Sequence, residues 1–516
     1  MSTDYNHIIH LVALLKEHEV QKIVLCPDNK NQVLSNYLKS NSFFSCHTLT
    51  DERNAAFFAN GLALQSGQPV AICCSDGNAL RNMHPAIAEA YIRQIPLIVV
   101  SMGNNTMQSE LKVKTSVNLQ PFADDNNLTR IDTLINEAIT ETNHHGKGPV
   151  HIHIPISDSD FKLSETALPI VRTITRYQGL NAYDRSYDEL IARLNKYSRR
   201  MIVVGQMNVI YQFNKSITKQ LYKHFAWLKE HTGNKTIPGI PISNFDSILR
   251  MAPEKTQQKM SPDLVITYGK QLFSEQLSTL FRQFPPKEHW HVSLDGEIFD
   301  PFGLLTTVIE MDPFEFLEKI ALMMDNDKTE MFPRLWENTA KAIVPPTCDF
   351  SSIKAVGQLM NCLPHPSALH LANGIAIQYA QLFSLAEDIE VCSNLNDGGN
   401  GGILPTAIGY AAASNEINIV ILSDKDFFHD MNVLCCSDMG GNLRIMLLNT
   451  GSFSSAKDWA VVRGFRYMSV QNDGELTNAV ASLTDPQPAT SPLLVEIFSD
   501  ADNDFKSLND YFSNQK

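Results

Sequence analysis

Short apolar runs with the length of buried strands alternate with longer segments of helical periodicity along almost the whole chain. Residues 70–74, 97–100 and 418–422 are three of these runs. Parallel strands need a connection of about a dozen residues or more between them, and a helix on the sheet face is its usual form. The alternation therefore predicts an α/β protein built from parallel sheets.

The alternation falls into three blocks, at residues 1–165, 187–340 and 341–516, and residues 166–186 read as a polar, strand-poor linker. A chain of 516 residues suits three domains of roughly 150 residues each. The first and third blocks share a similar rhythm of strands and helices. We therefore expect three parallel-sheet α/β domains, of which the first and the third are related folds.

The charge and the hydrophobic pattern of the sequence argue against nucleic acid and membrane as partners. A formal net charge of −14, with no basic stripe to offset it, argues against nucleic-acid binding. No apolar run approaches the ~18 residues that are needed to cross a bilayer. Met1 is not followed by the basic start and apolar core of a signal peptide. We therefore expect a cytoplasmic protein that binds neither nucleic acid nor membrane.

Cysteine and histidine spacing does not favour a zinc site. The nine cysteines are odd in number and lie mostly in apolar context, so reduced core thiols are expected. His151 and His153 alternate along one predicted strand and therefore share a face. Polar partners on a packed sheet face explain them better than a bound metal, which stays the alternative.

Glu52 stands where a strand at residues 44–49 gives way to an apolar helix that opens at 51–53. The ordinary interpretation is an acid favoured by the dipole of a helix N-terminus. The alternative is an acid with a catalytic role at this edge of the sheet. The rest of the chain decides between the two.

Several segments in a fixed order resemble the thiamine-diphosphate-dependent decarboxylase and carboligase superfamily. More narrowly, the chain resembles the MenD family, the menaquinone-pathway synthases that join 2-oxoglutarate to isochorismate. The similarity spans nearly the whole chain. Its markers are residues 25–27, 50–58, 144–151 and 204–206, Asn394 with the glycine cluster at 398–402, and Asp424 followed by 427–432.

This resemblance implies a pyrimidine-binding domain at 1–165, a central domain at 187–340 and a diphosphate-binding domain at 341–516. Glu52 would be the catalytic, cofactor-activating acid. It also implies a homodimer or homotetramer, because each cofactor lies between the first domain of one chain and the third domain of another. The implied cofactor-binding residues are Glu52, Asn394, Gly398, Gly399, Ser423 and Asp424.

The resemblance also implies a Mg²⁺ site that holds the diphosphate. Ser423-Asp424 replaces the family's Gly-Asp, and Asp424 keeps the carboxylate. Thr450 takes the place of the second family Asn, although a small alignment shift would put Asn449 on the metal instead. The alternative for Asp424 is a turn residue after a buried strand. The expected metal set is Asp424, Asn449, Thr450 and Ser452, with oxygen ligands of the kind that Mg²⁺ takes.

At the implied substrate site the chain departs from the family. Lys30 keeps one positive charge where the family has a Ser-Arg pair, and a family Lys-Arg pair in the central domain becomes Glu275-Gln276. Two segments, at residues 101–115 and after Ser452, look shortened. Anionic substrates need such cations. The remaining departures are Asp28, Asp76, Gln378 and Leu395.

These departures lead to two interpretations of function. The first is a MenD-like protein with an eroded cofactor and substrate site, acting as a structural or regulatory partner in a hetero-oligomer with an active homologue. The alternative is an active carboligase or decarboxylase that uses thiamine diphosphate and Mg²⁺ on a 2-oxo acid. It includes 2-succinyl-5-enolpyruvyl-6-hydroxy-3-cyclohexene-1-carboxylate synthase activity, with the substrate site misaligned in an ungapped comparison.

Overall fold

The structure is a computed structural model, and it contains three parallel sheets of six, five and six strands. Helices connect most of the successive strands, so the prediction of three parallel-sheet α/β domains is confirmed. The structure describes residues 6–103, 111–119, 125–156, 168–174, 186–208, 215–234, 241–324, 330–386, 388–395, 401–487 and 489–514.

The first sheet lies within residues 22–155 and has the strand order β2-β1-β3-β4-β6-β5. Its strands are β1 (Lys22–Leu25), β2 (Ser45–Thr48), β3 (Val70–Ser75), β4 (Leu97–Gly103), β5 (Ser116–Asn118) and β6 (Val150–Pro155). Its helices are α1 (Asn6–Glu17), α2 (Gln32–Ser40), α3 (Glu52–Ser66), α4 (Asn78–Asn82), α5 (His84–Ile92) and α6 (Asp125–Glu141).

The second sheet has the order β11-β10-β9-β7-β8. Its strands are β7 (Arg200–Val204), β8 (Ala226–Lys229), β9 (Leu264–Tyr268), β10 (Glu288–Ser293) and β11 (Thr307–Glu310). The helices are α7 (Ser186–Leu194), α8 (Lys215–His224), α9 (Phe245–Met251), α10 (Glu254–Met260), α11 (Gln276–Gln283), α12 (Pro313–Met323) and α13 (Met331–Ala342), with a 3₁₀ turn at His231–Gly233. The predicted boundary after residue 340 falls inside α13, which packs on this central domain through Phe332 and Trp336.

The third sheet has the order β13-β12-β14-β15-β17-β16. Its strands are β12 (Ser367–Leu371), β13 (Ile389–Ser393), β14 (Ile417–Ser423), β15 (Leu443–Asn449), β16 (Arg466–Val470) and β17 (Leu493–Phe498). The helices are α14 (Ser352–Met360), α15 (Ile375–Ala380), α16 (Ile403–Ala412), α17 (Asp424–Asp430), α18 (Lys457–Val462), α19 (Asp473–Thr484) and α20 (Ala501–Asn514), with a 3₁₀ turn at Met431–Cys435.

The first and third sheets have the same topology. In both, the strands run in the order second, first, third, fourth, sixth and fifth. This agrees with the expectation that the first and third blocks are related folds. In open parallel sheets, ligands bind beyond the carboxyl ends of the strands, near the point where the strand order reverses. That point lies between β1 and β3 in one sheet and between β12 and β14 in the other.

The first and third domains share one hydrophobic core, because α3 packs directly on α16. Two glycines make the close approach possible. A Cβ on Gly61 would lie 2.0 Å from the carbonyl oxygen of Thr406, and a Cβ on Gly409 would lie 2.1 Å from that of Phe58. The two helices therefore meet backbone to backbone, which fixes the carboxyl edge of the first sheet relative to the third domain.

The expectations for the paired histidines and for the cysteines agree with the described residues. His151 and His153 both hydrogen-bond the Ser101 hydroxyl, at 2.8 and 2.9 Å, as expected for partners on a packed sheet face. All nine cysteines are free. No helix within the described ranges is both long and apolar enough to span a membrane.

Candidate functional site

Glu52 is the first residue of α3, at the carboxyl edge of the first sheet. The cap of this helix is formed by Asp51, whose Oδ1 accepts the backbone N–H of Asn54 at 3.0 Å. Glu52 Oε2 instead accepts a hydrogen bond from Asn82 Nδ2 at 3.2 Å. Asp51 therefore performs the capping, and the Glu52 carboxylate contacts Asn82 at the end of α4 instead.

Two buried thiols, Cys26 and Cys74, lie at the ends of β1 and β3. Burial raises the pKa of Cys26 and of Cys74 well above the usual range of a thiol, and the charge of Glu52 raises both pKa values further. Thr48 of β2 and Cys73 of β3 both pair with Leu25 of β1 in parallel register, so Glu52 follows β2 at the same edge as these strand ends. These are the strands between which the order of the sheet reverses.

Lys30, the predicted substrate residue, lies at the same edge and is bound to a carboxylate of its own chain. Its Nζ donates to Asp76 Oδ1 at 2.6 Å, and the two side chains are 42% and 3% exposed. A Cβ on Gly103 would lie 2.0 Å from the carboxyl carbon of Asp76. The Asp76 carboxylate can therefore occupy this position only because residue 103 is a glycine.

Asp424 follows β14 and begins α17, and it is 1% exposed. Its Oδ1 accepts the backbone N–H of Lys425 and its Oδ2 that of Ser452, each at 2.9 Å. Within the described ranges no cationic side chain lies within ion-pair distance of this carboxylate. A buried carboxylate that accepts only backbone hydrogen bonds retains lone pairs for a cation.

The end of the neighbouring strand β15 supplies the other predicted metal residues. Ser423 pairs with Leu448 in the parallel register, so Asp424 and Asn449 leave the sheet side by side. The Asn449 amide is buried, donates to Glu496 Oε1 at 2.8 Å and accepts the backbone N–H of Gly451 at 2.9 Å. Thr450 is the next residue and is half-buried.

These residues fit a hard divalent cation. The structure brings Asp424 into contact with the backbone of Ser452 and places Asn449 and Thr450 beside them. All four offer oxygen atoms, as side-chain or carbonyl oxygens, and Mg²⁺ takes oxygen ligands. Both the amide nitrogen and the amide oxygen of Asn449 already form hydrogen bonds within the chain. Thr450 lies on the loop next to Asp424. The arrangement is therefore compatible with the predicted metal set.

Ser423 serves mainly as the cap of α17. Its hydroxyl donates to Asp426 Oδ2 at 2.7 Å and accepts the Asp426 backbone N–H at 3.3 Å, which forms a capping box. Burial raises the pKa of the Asp426 carboxyl. The side chain that replaces the expected glycine therefore stabilises the helix that begins with Asp424.

Asn394 lies where all three domains meet. Its Nδ2 donates to the Thr406 hydroxyl and its Oδ1 accepts from Arg93 Nη1, each at 3.2 Å. Arg93 Nη2 also donates to Asn208 Oδ1 of the central domain at 3.0 Å. Asn394 is therefore held in place by a buried network. The predicted residues Gly398 and Gly399 lie outside the described residues.

Three residues of this region were not singled out from the sequence. Arg53 Nη1 donates to Asp430 Oδ1 at 2.9 Å, and Asp430 Oδ2 accepts the Gly402 backbone N–H at 2.5 Å. The third is Arg93. Arg53 and Asp430 lie inside the marker segments 50–58 and 427–432, but nothing in their spacing indicates that they pair.

Comparison with known proteins places the first domain in a recognised family. Residues 9–125 match the family described as thiamine pyrophosphate enzyme, N-terminal TPP binding domain. Curated 2-succinyl-5-enolpyruvyl-6-hydroxy-3-cyclohexene-1-carboxylate synthases are similar over the full length. The synthase from Bacteroides thetaiotaomicron is 48% identical, and the alignment covers 100% of this chain and 100% of that synthase. The one from Phocaeicola vulgatus is also 48% identical, over 100% of this chain and 99% of the relative.

A more distant synthase, from Flavobacterium psychrophilum, is 30% identical over 86% of this chain and 82% of its own. The alignment to the Bacteroides protein has 554 positions against the 516 residues here, so about 38 of them (554 − 516) face gaps in this chain. This agrees with the expectation of shortened segments without locating them.

The comparisons favour the enzymatic alternative over an eroded site. Similarity of this extent covers all three domains rather than one retained scaffold element. In the described residues, Glu52 begins α3 after β2 and the buried Asp424 carboxylate follows β14, so both residues lie at the carboxyl edges of their sheets. The first interpretation, a protein that lost its site, therefore has no support in these findings.

Proposed function

We propose that this chain, which belongs to the MenD family of thiamine-diphosphate-dependent enzymes, decarboxylates a 2-oxo acid and joins the remaining acyl unit to an acceptor. The observation that carries the proposal is the Asp424 carboxylate, which is buried without a cationic side chain in the described structure. The reaction of the relatives, synthesis of 2-succinyl-5-enolpyruvyl-6-hydroxy-3-cyclohexene-1-carboxylate, is the specific activity to test first.

The cofactor would be held by residues at the carboxyl edges of the first and the third sheet. When bound, thiamine diphosphate supplies the electron sink that allows a 2-oxo acid to lose carbon dioxide. Asp424, with Thr450 or Asn449 and the backbone of Ser452, would hold Mg²⁺ against the diphosphate. Glu52 would hold a proton at a ring nitrogen of the pyrimidine, and its position beyond Asp51 leaves its carboxylate available for this.

The same proposal includes paired chains, as a homodimer or a homotetramer. The family arrangement puts Glu52 of one chain beside Asp424 of another. Mixing inactive Glu52→Gln protein with inactive Asp424→Ala protein tests this, because a mixed pair contains one site with both wild-type residues. Recovered activity supports sites shared between chains. No recovery, under conditions where subunits exchange, contradicts it.

Binding of thiamine diphosphate tests the function most directly. We expect micromolar affinity by isothermal titration calorimetry with Mg²⁺, and at least tenfold weaker binding after its removal. Asp424→Ala should lose the Mg²⁺-dependent part. Asp473→Ala, an exposed acid of α19 in the same domain, is the matched control and should bind like the wild type. No binding at millimolar cofactor would overturn the proposal.

A further inference from the structure

Residues of all three domains converge on the end of β13, at Ser393 and Asn394. Gln206 of the central domain donates from Nε2 to the Ser393 carbonyl at 2.6 Å. Arg93 of the first domain donates from Nη1 to Asn394 Oδ1 at 3.2 Å. Both donor residues are 4% exposed, and Asn394 is 8% exposed. The end of this third-domain strand is therefore held by side chains of the two other domains.

The Arg93 guanidinium is itself held in one orientation. Its Nη2 donates to Asn208 Oδ1 at 3.0 Å, and Asn208 Nδ2 donates back to the Arg93 carbonyl. Arg93 Nε lies 3.9 Å from Glu89 Oε1, and the two side chains of this ion pair are 2% and 3% exposed. A guanidinium is planar, so the contacts at Nη2 and Nε also fix the direction of Nη1. Arg93 therefore offers Asn394 a hydrogen-bond donor in a set place.

The Asn394 amide can take only one of its two orientations in this network. A guanidinium has donors alone, so the amide atom that faces Arg93 must be Oδ1. The Thr406 hydroxyl donates to the Gly402 carbonyl at 2.8 Å, and it therefore accepts from Asn394 Nδ2 at 3.2 Å. The second N–H of Nδ2 has no acceptor among the described residues. The network thus presents one amide N–H at the carboxyl edge of the third sheet.

We propose that Arg93 is a positioning residue for the cofactor, because it orients the Asn394 amide so that Nδ2 can donate to the diphosphate. The inference rests on the proposed function, in which Asn394 is an expected cofactor-binding residue. Without Arg93 the amide is free to turn over and present Oδ1, and a carbonyl oxygen repels a phosphate oxygen. Asn208 brings the central domain into this arrangement, because it fixes the guanidinium.

The affinity for thiamine diphosphate tests the inference, measured by isothermal titration calorimetry on the full-length protein with Mg²⁺. Arg93→Met combined with Glu89→Gln removes both charges of the buried ion pair, so no unpaired charge remains. We expect this variant to bind the cofactor at least tenfold more weakly than the wild type. Asn208→Ala keeps the ion pair but removes the acceptor at Nη2, and it should weaken binding at least threefold.

A double-mutant cycle separates positioning from a general loss of structure. If Arg93 acts through Asn394, its effect should disappear once the Asn394 amide is absent. In an Asn394→Ala background, Arg93→Met with Glu89→Gln should therefore weaken binding by no more than about twofold. Losses of affinity that multiply in the combined variant would overturn the inference.

Asn234→Ala is the matched control, because Asn234 also joins the central domain to β13. Its Oδ1 accepts the Val391 backbone N–H at 2.6 Å, and its Nδ2 donates to the Val391 carbonyl at 3.0 Å. Val391 precedes Asn394 by three residues. The control should lower the melting temperature but bind the cofactor within about twofold of the wild type. A loss of affinity equal to that of the Arg93 variant would assign Arg93 to domain packing alone and overturn the inference.

The outcomes distinguish the inference from the function on which it rests. If the wild type does not bind thiamine diphosphate, the proposed function fails and the inference with it. If the wild type binds the cofactor and the Arg93 and Asn208 variants bind it equally tightly, only the inference is overturned. Circular dichroism establishes that each variant is folded. If the Arg93 variant does not fold, the affinity of Asn208→Ala decides.

Discussion

Arg53 Nη1 lies 2.9 Å from Asp430 Oδ1, and this ion pair joins the start of α3 in the first domain to the end of α17 in the third. Arg53 follows the predicted catalytic acid, Glu52, and α17 begins with the predicted metal ligand, Asp424. The Asp430 side chain is fully buried and that of Arg53 is 22% exposed. The pair therefore fixes two helices whose first residues belong to the candidate site.

Removing the Arg53 charge should destabilise the protein. Arg53→Met removes the guanidinium from the buried Asp430, which keeps the Gly402 N–H and the neighbouring His429 ring, and this loss costs about 2–3 kcal/mol. For a domain of 150–250 residues this corresponds to a fall in melting temperature on the order of 5–10 °C. Arg334→Met breaks an exposed pair with Glu330 and should change the melting temperature by about 2 °C or less. Equal shifts for the two variants would contradict a special role for the Arg53 pair.

Gly61→Ala should disrupt the contact between the first and third domains. The added methyl group would lie 2.0 Å from the carbonyl oxygen of Thr406, which is backbone and cannot turn away. Overpacking of this kind costs about 1–3 kcal/mol. Gly474→Ala in α19 is the matched control. Its methyl group would lie 3.4 Å from Oδ1 of Asn472, the N-cap of that helix, which is an ordinary contact distance. The control should keep or raise the melting temperature, and a fall like that of Gly61→Ala would refute the packing argument.

Glu496 should control the loop that follows β15. This buried carboxylate accepts hydrogen bonds from Asn449 Nδ2, the Ser455 and Tyr467 hydroxyls and the Ala456 backbone N–H, at 2.6–3.2 Å. Glu496→Ala leaves these donors without an acceptor, so we expect at least tenfold weaker Mg²⁺-dependent cofactor binding in calorimetry. Tyr467→Phe removes a single donor and should cost about 1 kcal/mol of stability. Unchanged cofactor affinity in Glu496→Ala would separate this loop from the metal site.

Glu230 should make stability depend on pH. Burial raises the pKa of this carboxyl to about 7, although it accepts the backbone N–H groups of Phe273 and Ser274. The native state therefore holds a proton that the unfolded chain releases near pH 4.5, so stability falls as the pH rises from about 4.5 to 7. Glu230→Gln cannot ionise, and the melting temperature of the wild type relative to this variant should fall across that window. A constant difference from pH 4.5 to 8 would contradict the assignment.

The core strands could be predicted from the sequence because buried parallel strands are nearly continuous apolar runs. The run at 70–74 is one residue shorter than β3, and the run at 418–422 lies inside β14, one residue short of it at each end. β16 was missed because it is an edge strand with exposed and half-buried residues, and so it lacks such a run. β12 was missed as well, and its apolar run is interrupted by His370.

The candidate site could be predicted only as positions along the chain. The order of the marker segments located Glu52 and Asp424, because each follows a predicted strand. The pairing of Lys30 with Asp76 was not visible, since 46 residues separate them and only the parallel order of β1 and β3 brings them together. The capping role of Asp51 was missed for a different reason. Either of two adjacent acids can cap a helix, and backbone geometry makes the choice.

The shared core of the first and third domains has a consequence for synthesis of the chain. Arg53 and Asp430 are 377 residues apart, and ribosomes add roughly 5–20 residues per second. Roughly 20–75 s therefore pass between the synthesis of α3 and that of α16 and its neighbours, and the central domain is translated and folds in this interval. The apolar face of α3 stays uncovered during that time. Ribosome-bound chains that end before residue 403 should consequently bind holding chaperones and be cut by protease within α3, whereas chains released at full length should resist.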